Sequence, residues 1–199
     1  MHSEIQNIIK KWTKNQSFET KIVTLFEKVR DIPYGNIGSR KPLDVYHQNM
    51  GTCSGKHALL KVLYSELGIP VKDFISMHSF NKLPITYPDI IKELLDKTTI
   101  IDPHNFIKIK IDNKWILIDA TWDTSLKKYG FPVNENWNGK SNMNISVIKE
   151  GEIYKTDTPI ILKEELLHNF SEKLQTDRKI FLKEFTKWLI VLRKKDTLY

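Results

Sequence analysis

An α+β architecture follows from two periodicities in this sequence. Apolar residues recur at helical spacing near both ends of the chain and in the run after Cys53. Residues 104–111 and 115–120 instead alternate polar and apolar around a short Asp-Asn turn, the pattern of a β-hairpin and hence of an antiparallel sheet. The 199 residues suit one domain, with a core over about 20–125 and C-terminal strands and helices over 140–195 packed on it.

Taken in order, Ser3 to Trp12 sets Ile5, Ile8, Ile9 and Trp12 on one helical face. A second helix spans Phe18 to Val29 and stops at the turn-forming cluster Asp31-Ile32-Pro33-Tyr34-Gly35. A loop over 36–40 and a proline-started segment, Leu43 to His47, lead to Cys53. The apolar run Ala58 to Tyr64 is helical and ends at Leu67-Gly68-Ile69-Pro70, where glycine just past a helix and proline soon after are stop signals. Val71 to His78 reads as a strand, and Pro88 starts a short helix over Asp89 to Leu95. Beyond the hairpin, strands are expected at Met143 to Ile148 and near Pro159 to Leu162. Helices follow at Lys163 to Leu174 and Arg178 to Arg193. The apolar stripe of the last helix (Leu182, Phe185, Trp188, Leu189, Leu192) should face its own core, and the charges of both terminal helices should form a solvated face.

Composition narrows the function. Hydrophobic content of 40% with 28% charged residues is that of a soluble globular chain. One cysteine rules out an internal disulfide and fits a reducing, cytoplasmic setting. The first residues, from Met1, lack a secretory signature, and no apolar stretch reaches the length of about 18 residues that a membrane span needs. The net charge of +7 raises nucleic acid as a partner, but the lysines are scattered and the densest run, Arg193-Lys194-Lys195, is short. A lysine-rich surface is the preferred reading, with nucleic acid disfavoured as a partner; no cofactor and no metal are implied.

Chemistry centres on Gly51-Thr52-Cys53-Ser54-Gly55. A cysteine in the first turn of a helix meets unpaired N–H groups and the positive end of the helix dipole, which favour its thiolate. The competing reading is a small buried hydrophobe, so the cysteine needs a base elsewhere before it means catalysis.

The hairpin offers one. Centring its turn on Asp112-Asn113 pairs Ile111 with Lys114, Ile109 with Ile116 and Ile107 with Ile118, which gathers the isoleucines on one buried face. Asp119 then falls opposite Phe106 and diagonal to His104, within reach of a His–carboxylate bond; Asp123 is the other candidate carboxylate if the strand continues. Cys53 as nucleophile, His104 as base and Asp119 as orienting group make a catalytic set, for which a polypeptide or small amide is the expected substrate. The Cys53 backbone N–H, with Gln48 as the candidate side chain, would hold the oxyanion.

These residues resemble the core of the transglutaminase-like superfamily. The shared pattern is a glycine two before the cysteine, a helix ending in Gly68-Ile69-Pro70, His104 opening one strand and Trp115-Ile116-Leu117-Ile118-Asp119 on the next, with Ile32-Pro33-Tyr34 upstream. The resemblance covers about Ile22 to Trp122. It implies a papain-like fold, with the nucleophile helix packed on an antiparallel sheet that carries histidine and aspartate. Its members include crosslinking enzymes, cysteine peptidases, peptide N-glycanases and inactive scaffolds, so fold does not fix the reaction. One position departs: the fourth residue after the cysteine is often small in that family, and here it is His57. His57 stacks on Cys53 at i, i+4, as an alternative base or half of a metal pair. A partly buried polar neighbour is the preferred reading, since zinc wants four ligands and no second cysteine exists. His47 and His78 are read as structural, Trp115 and Trp122 as core, and Asp123 as a supporting or turn residue.

Overall fold

The computed structural model describes residues 2–195, and Lys195 only through its backbone; Met1 lies outside the described residues. The architecture is α+β, with helices packed around a four-stranded antiparallel sheet of order β3-β2-β1-β4. The strands are β1 (Val71–Ser79), β2 (Ile101–Ile111), β3 (Lys114–Ile118) and β4 (Lys149–Thr156). The helices are α1 (His2–Trp12), α2 (Phe18–Arg30), α3 (Pro42–Gln48), α4 (Cys53–Glu66), α5 (Asp89–Lys97), α6 (Pro159–His168) and α7 (Glu172–Lys195).

The β2–β3 hairpin has the register that its isoleucines dictate. Ile107 pairs with Ile118, Ile109 with Ile116 and Ile111 with Lys114. Asp112 and Asn113 both take positive φ (46° and 63°), as a two-residue hairpin turn requires. Ile107, Ile109, Ile116 and Ile118 are buried against Leu59, Leu60 and Leu63 of α4 and Leu25 and Phe26 of α2. Burying four isoleucines is worth on the order of 8 kcal/mol before chain entropy is charged. A one-residue slip would turn all four to the other face, so this patch sets the register that places His104 and Asp119.

A second core forms under α7. Phe181, Leu182, Phe185, Leu189 and Leu192 pack on Phe80, Trp122, Phe131 and Tyr34, so the stripe on the last helix does face its own core. Trp122 is buried and donates from Nε1 to the Ser146 carbonyl at 2.6 Å. Trp115, at the hairpin edge, lies under the Lys72 ammonium at 3.9 Å.

The C-terminal third differs from the sequence expectation in three places. Residues 143–148 form no strand; their link to β3 is through Met143 N–H to the Leu117 carbonyl, beside an Asn142 side chain that accepts from Leu117 N–H. The edge strand is β4 instead, a mostly exposed segment whose charged side chains suit a sheet edge. Pro159 to Leu162 is the first turn of α6, with Pro159 at the helix start where its missing N–H costs nothing. The break between α6 and α7 falls at 169–171, where the Ser171 hydroxyl accepts from Leu174 N–H and caps α7.

Candidate active site

Local folding fixes Cys53. The Gly51 N–H donates to the Pro33 carbonyl and the Gly51 carbonyl accepts from Gly35 N–H, which ties the stretch before α4 to the turn after α2. A Cβ on Gly51 would stand 2.9 Å from the Val45 side chain, and one on Gly55 would stand 2.7 Å from it, so α3 can approach α4 this closely only across glycine. Behind the cysteine, the buried Lys56 donates to the carbonyls of Arg30 and Thr121 at 2.7 and 2.8 Å, strapping α4 to the segment after β3. Cys53 thus opens α4, buried, at the sheet end where β2 begins and β3 stops.

His104 lies on β2, and Asp119 is the first residue past β3. Nε2 of His104 stands 2.7 Å from Oδ2 of Asp119. Asp119 is held in turn by N–H groups of Thr121 (3.1 Å) and Ser146 (2.8 Å) and by the Thr121 hydroxyl (2.6 Å). With Nε2 turned to the carboxylate, Nδ1 is the His104 nitrogen left for the buried Cys53 thiol. Burial alone would push the thiol up, but the Lys163 ammonium and His104 bring it down to about 7. Burial likewise disfavours a charged His104, yet Asp119 and the Cys53 sulfur raise its pKa to about 10. Asp119 is buried too, and His104 holds it well below the usual carboxylate range. The three side chains therefore favour a thiolate–imidazolium pair backed by a carboxylate.

The other candidates separate. His57 is fully committed to backbone: Nδ1–H donates to the Cys53 carbonyl at 2.7 Å, and Nε2 accepts from Ala120 N–H at 2.9 Å. Burial pushes its pKa down to about 4, so it is a neutral brace, with no lone pair left for a proton or a metal. Gln48 is exposed at the end of α3 and does not line the cleft beside Cys53, which corrects its assignment as the oxyanion side chain. Asp123 binds Arg193 of α7 at 2.6 Å and Tyr34 N–H at 2.9 Å, anchoring the last helix rather than the histidine. His47 pairs with Glu4 at 2.7 Å near the surface. His78 is buried with its ring 5.7 Å from that of His104, and burial lowers its pKa to about 3.

Sequence reading missed Lys163 and its partners. It is the one buried residue of α6. Its ammonium donates to Ser54 Oγ (3.1 Å), Asp102 Oδ2 (3.3 Å) and the Pro103 carbonyl (2.5 Å). Ser54 Oγ lies 3.9 Å from the Cys53 sulfur and donates to Asn105 at 2.6 Å. Asp102 also binds Arg178 of α7. Three charges of the terminal helices (Lys163, Arg178, Arg193) thus turn inward, against the expectation of a wholly solvated face. The only signal in the sequence was a lysine four residues after a helix-starting proline, too common to single out.

A cleft of about 450 Å³ adjoins this group, bordered by Tyr34, Asn36, Ser39 to Lys41, Thr52, Asp102, Lys163 and Arg178. Among the described residues no three His, Cys, Asp or Glu side chains cluster as metal ligands, and no helix is long and apolar enough to cross a membrane.

No family model matches the chain, and no curated protein matches it. Among solved structures, it is similar to a Cytophaga hutchinsonii chain ascribed to the cysteine proteases, at 16% identity and TM-score 0.44 over 78% of this chain and 49% of that one. It is also similar to a chain described as a TGase, at 15% identity and TM-score 0.44 over 65% of this chain and 35% of that one. The chain thus spans about half the length of the first and about a third of the second.

Proposed function

We propose that this chain is a thiol-dependent amide hydrolase or acyl transferase working through an acyl-enzyme on Cys53. The observation that carries the reading is the buried His104–Asp119 bond of 2.7 Å, supported by a buried Cys53 whose thiol is lowered to about 7 by Lys163 and His104. The thiolate attacks a carbonyl carbon, forming a C–S bond and an oxyanion. The intermediate collapses as His104 donates its proton to the leaving amine, leaving a thioester. Water, or a second amine, then attacks the thioester while His104 takes its proton, and the thiolate is released. Asp119 keeps the imidazole oriented and stabilises its charged form throughout. The Cys53 backbone N–H is the oxyanion donor; Lys163, whose three ammonium protons go to Ser54, Asp102 and Pro103, favours the negative charge through its field. Hydrolysis is the preferred outcome, because water is the default acceptor.

A non-catalytic binding module on the same fold is the second reading. It is favoured by one observation: the Cys53 side chain is 2% exposed and does not itself line the cleft. The test is intact-mass spectrometry after exposure to a pool of activated peptide esters. Catalysis predicts an acyl adduct on Cys53 that decays in water, is absent in Cys53→Ala and forms far more slowly in His104→Ala. No adduct under any condition would favour the binding module.

A further inference from the structure

We infer that the cleft beside Cys53 selects an acidic peptide segment, with the carboxylate placed next to the bond that is attacked. The inference rests on the acyl-enzyme reading above and adds its substrate class. The cleft is lined by four cationic side chains, Arg40, Lys41, Lys163 and Arg178, against the single carboxylate of Asp102. Glu164 pairs with Arg40 at 3.3 Å from outside that lining, and even with it two positive charges stay uncompensated. The chain as a whole carries 31 basic and 24 acidic side chains, so a lining of four to one is a local concentration and not a sample of the surface.

The cations are also arranged by depth. Lys163 is buried and held by three acceptors at the end nearest the sulfur. Arg178 is mostly buried, braced on Asp102. Arg40 is partly exposed and Lys41 is exposed, at the mouth. Thr52, the residue before the nucleophile, borders the same space. A concave site lined by one sign of charge raises the local concentration of the opposite sign and focuses its field. A volume near 450 Å³ is in the usual range for a small ligand or a short peptide segment.

The test compares alkylation of Cys53 by iodoacetate and by iodoacetamide, reagents alike in size that differ by one negative charge. The ratio of the two rates should exceed the ratio for free cysteine by about tenfold at low salt and fall as salt is added. Lys41→Glu should cut that ratio at least about threefold, whereas Lys14→Glu, the same charge change on the far α1–α2 side, should leave it in place. A short oligoglutamate should protect Cys53 from iodoacetamide, and an oligolysine should not. A ratio equal to that of free cysteine, or one moved equally by Lys14→Glu, would overturn the acidic-substrate assignment while leaving the thiolate reading standing. Protection by inorganic phosphate alone would overturn the peptide as the ligand. A Cys53 inert to both reagents would overturn the thiolate reading and this inference with it.

Discussion

Nε2 of His104 stands 2.7 Å from Oδ2 of Asp119, although the two residues belong to different strands' ends and fifteen positions separate them. The distance is a consequence of hairpin register, and the register is a consequence of which face the isoleucines occupy. In the proposed mechanism the bond stabilises the protonated imidazole, and the protonated imidazole stabilises the Cys53 thiolate. Chemistry at residue 53 is thus coupled to packing on the opposite side of the hairpin.

Asp119→Asn tests the first link. The amide keeps the shape but loses the charge that raises His104, so the imidazole should titrate lower and the thiol higher. Alkylation of Cys53 at pH 7 should slow by about tenfold. Asp119→Ala should in addition cost about 3–5 kcal/mol of stability, since it strands a buried charge partner and two buried N–H donors. Urea unfolding beside the alkylation assay separates the two effects.

Lys163→Met removes a buried cation while keeping its stem. The Cys53 pKa should rise by about one unit, because Lys163 is the leading influence that lowers it. Arg178 keeps Asp102 paired in this variant. The pH dependence of alkylation reads the shift directly.

His57→Phe separates brace from base. Losing the imidazole leaves the buried Ala120 N–H without a partner, at about 1–3 kcal/mol, and removes the side-chain bond to the Cys53 carbonyl at the start of α4. Thermal unfolding should show a clear loss. The alkylation pH profile of the folded fraction should keep its midpoint, which it would not do if His57 were the base.

Acid should destabilise the fold from an unusually high pH. His57 and His78 titrate at about 4 and about 3 in the folded chain, and near 6.5 once unfolded. Both pKa values are depressed by folding, so their contribution is whole above 6.5 and is lost as pH falls toward 3. In that window the unfolded chain binds more protons, and stability should fall by about 1.4 kcal/mol per pH unit for each histidine. Urea midpoints between pH 7 and 4 measure the slope, and His78→Phe should reduce it by about half, by removing one of the two titrating rings.

Much of this site was legible because its determinants are local. The hairpin register followed from isoleucine alternation and an Asp-Asn turn, and with it came the choice of His104. Hairpin geometry alone did not separate Asp119 from Asp123 in the sequence, because a longer strand would carry both. What separates them is Arg193, seventy residues away, which claims Asp123. The strands expected at 143–148 and 159–162 were misread for a related reason. Four successive apolar residues around Ile160 fit a strand or a helix equally, and β4 is an exposed edge with no buried face to impose alternation. Lys163 was invisible because its meaning comes from Ser54, Asp102 and Pro103, all distant in sequence.

The most direct test is the rate of Cys53 carbamidomethylation by iodoacetamide against pH, read by mass spectrometry in the wild-type chain and in His104→Ala. The account predicts a midpoint about 7 in the wild type and a midpoint at or above that of a free thiol in the variant. A wild-type midpoint near 8.5 or higher, unmoved by loss of His104, would contradict it.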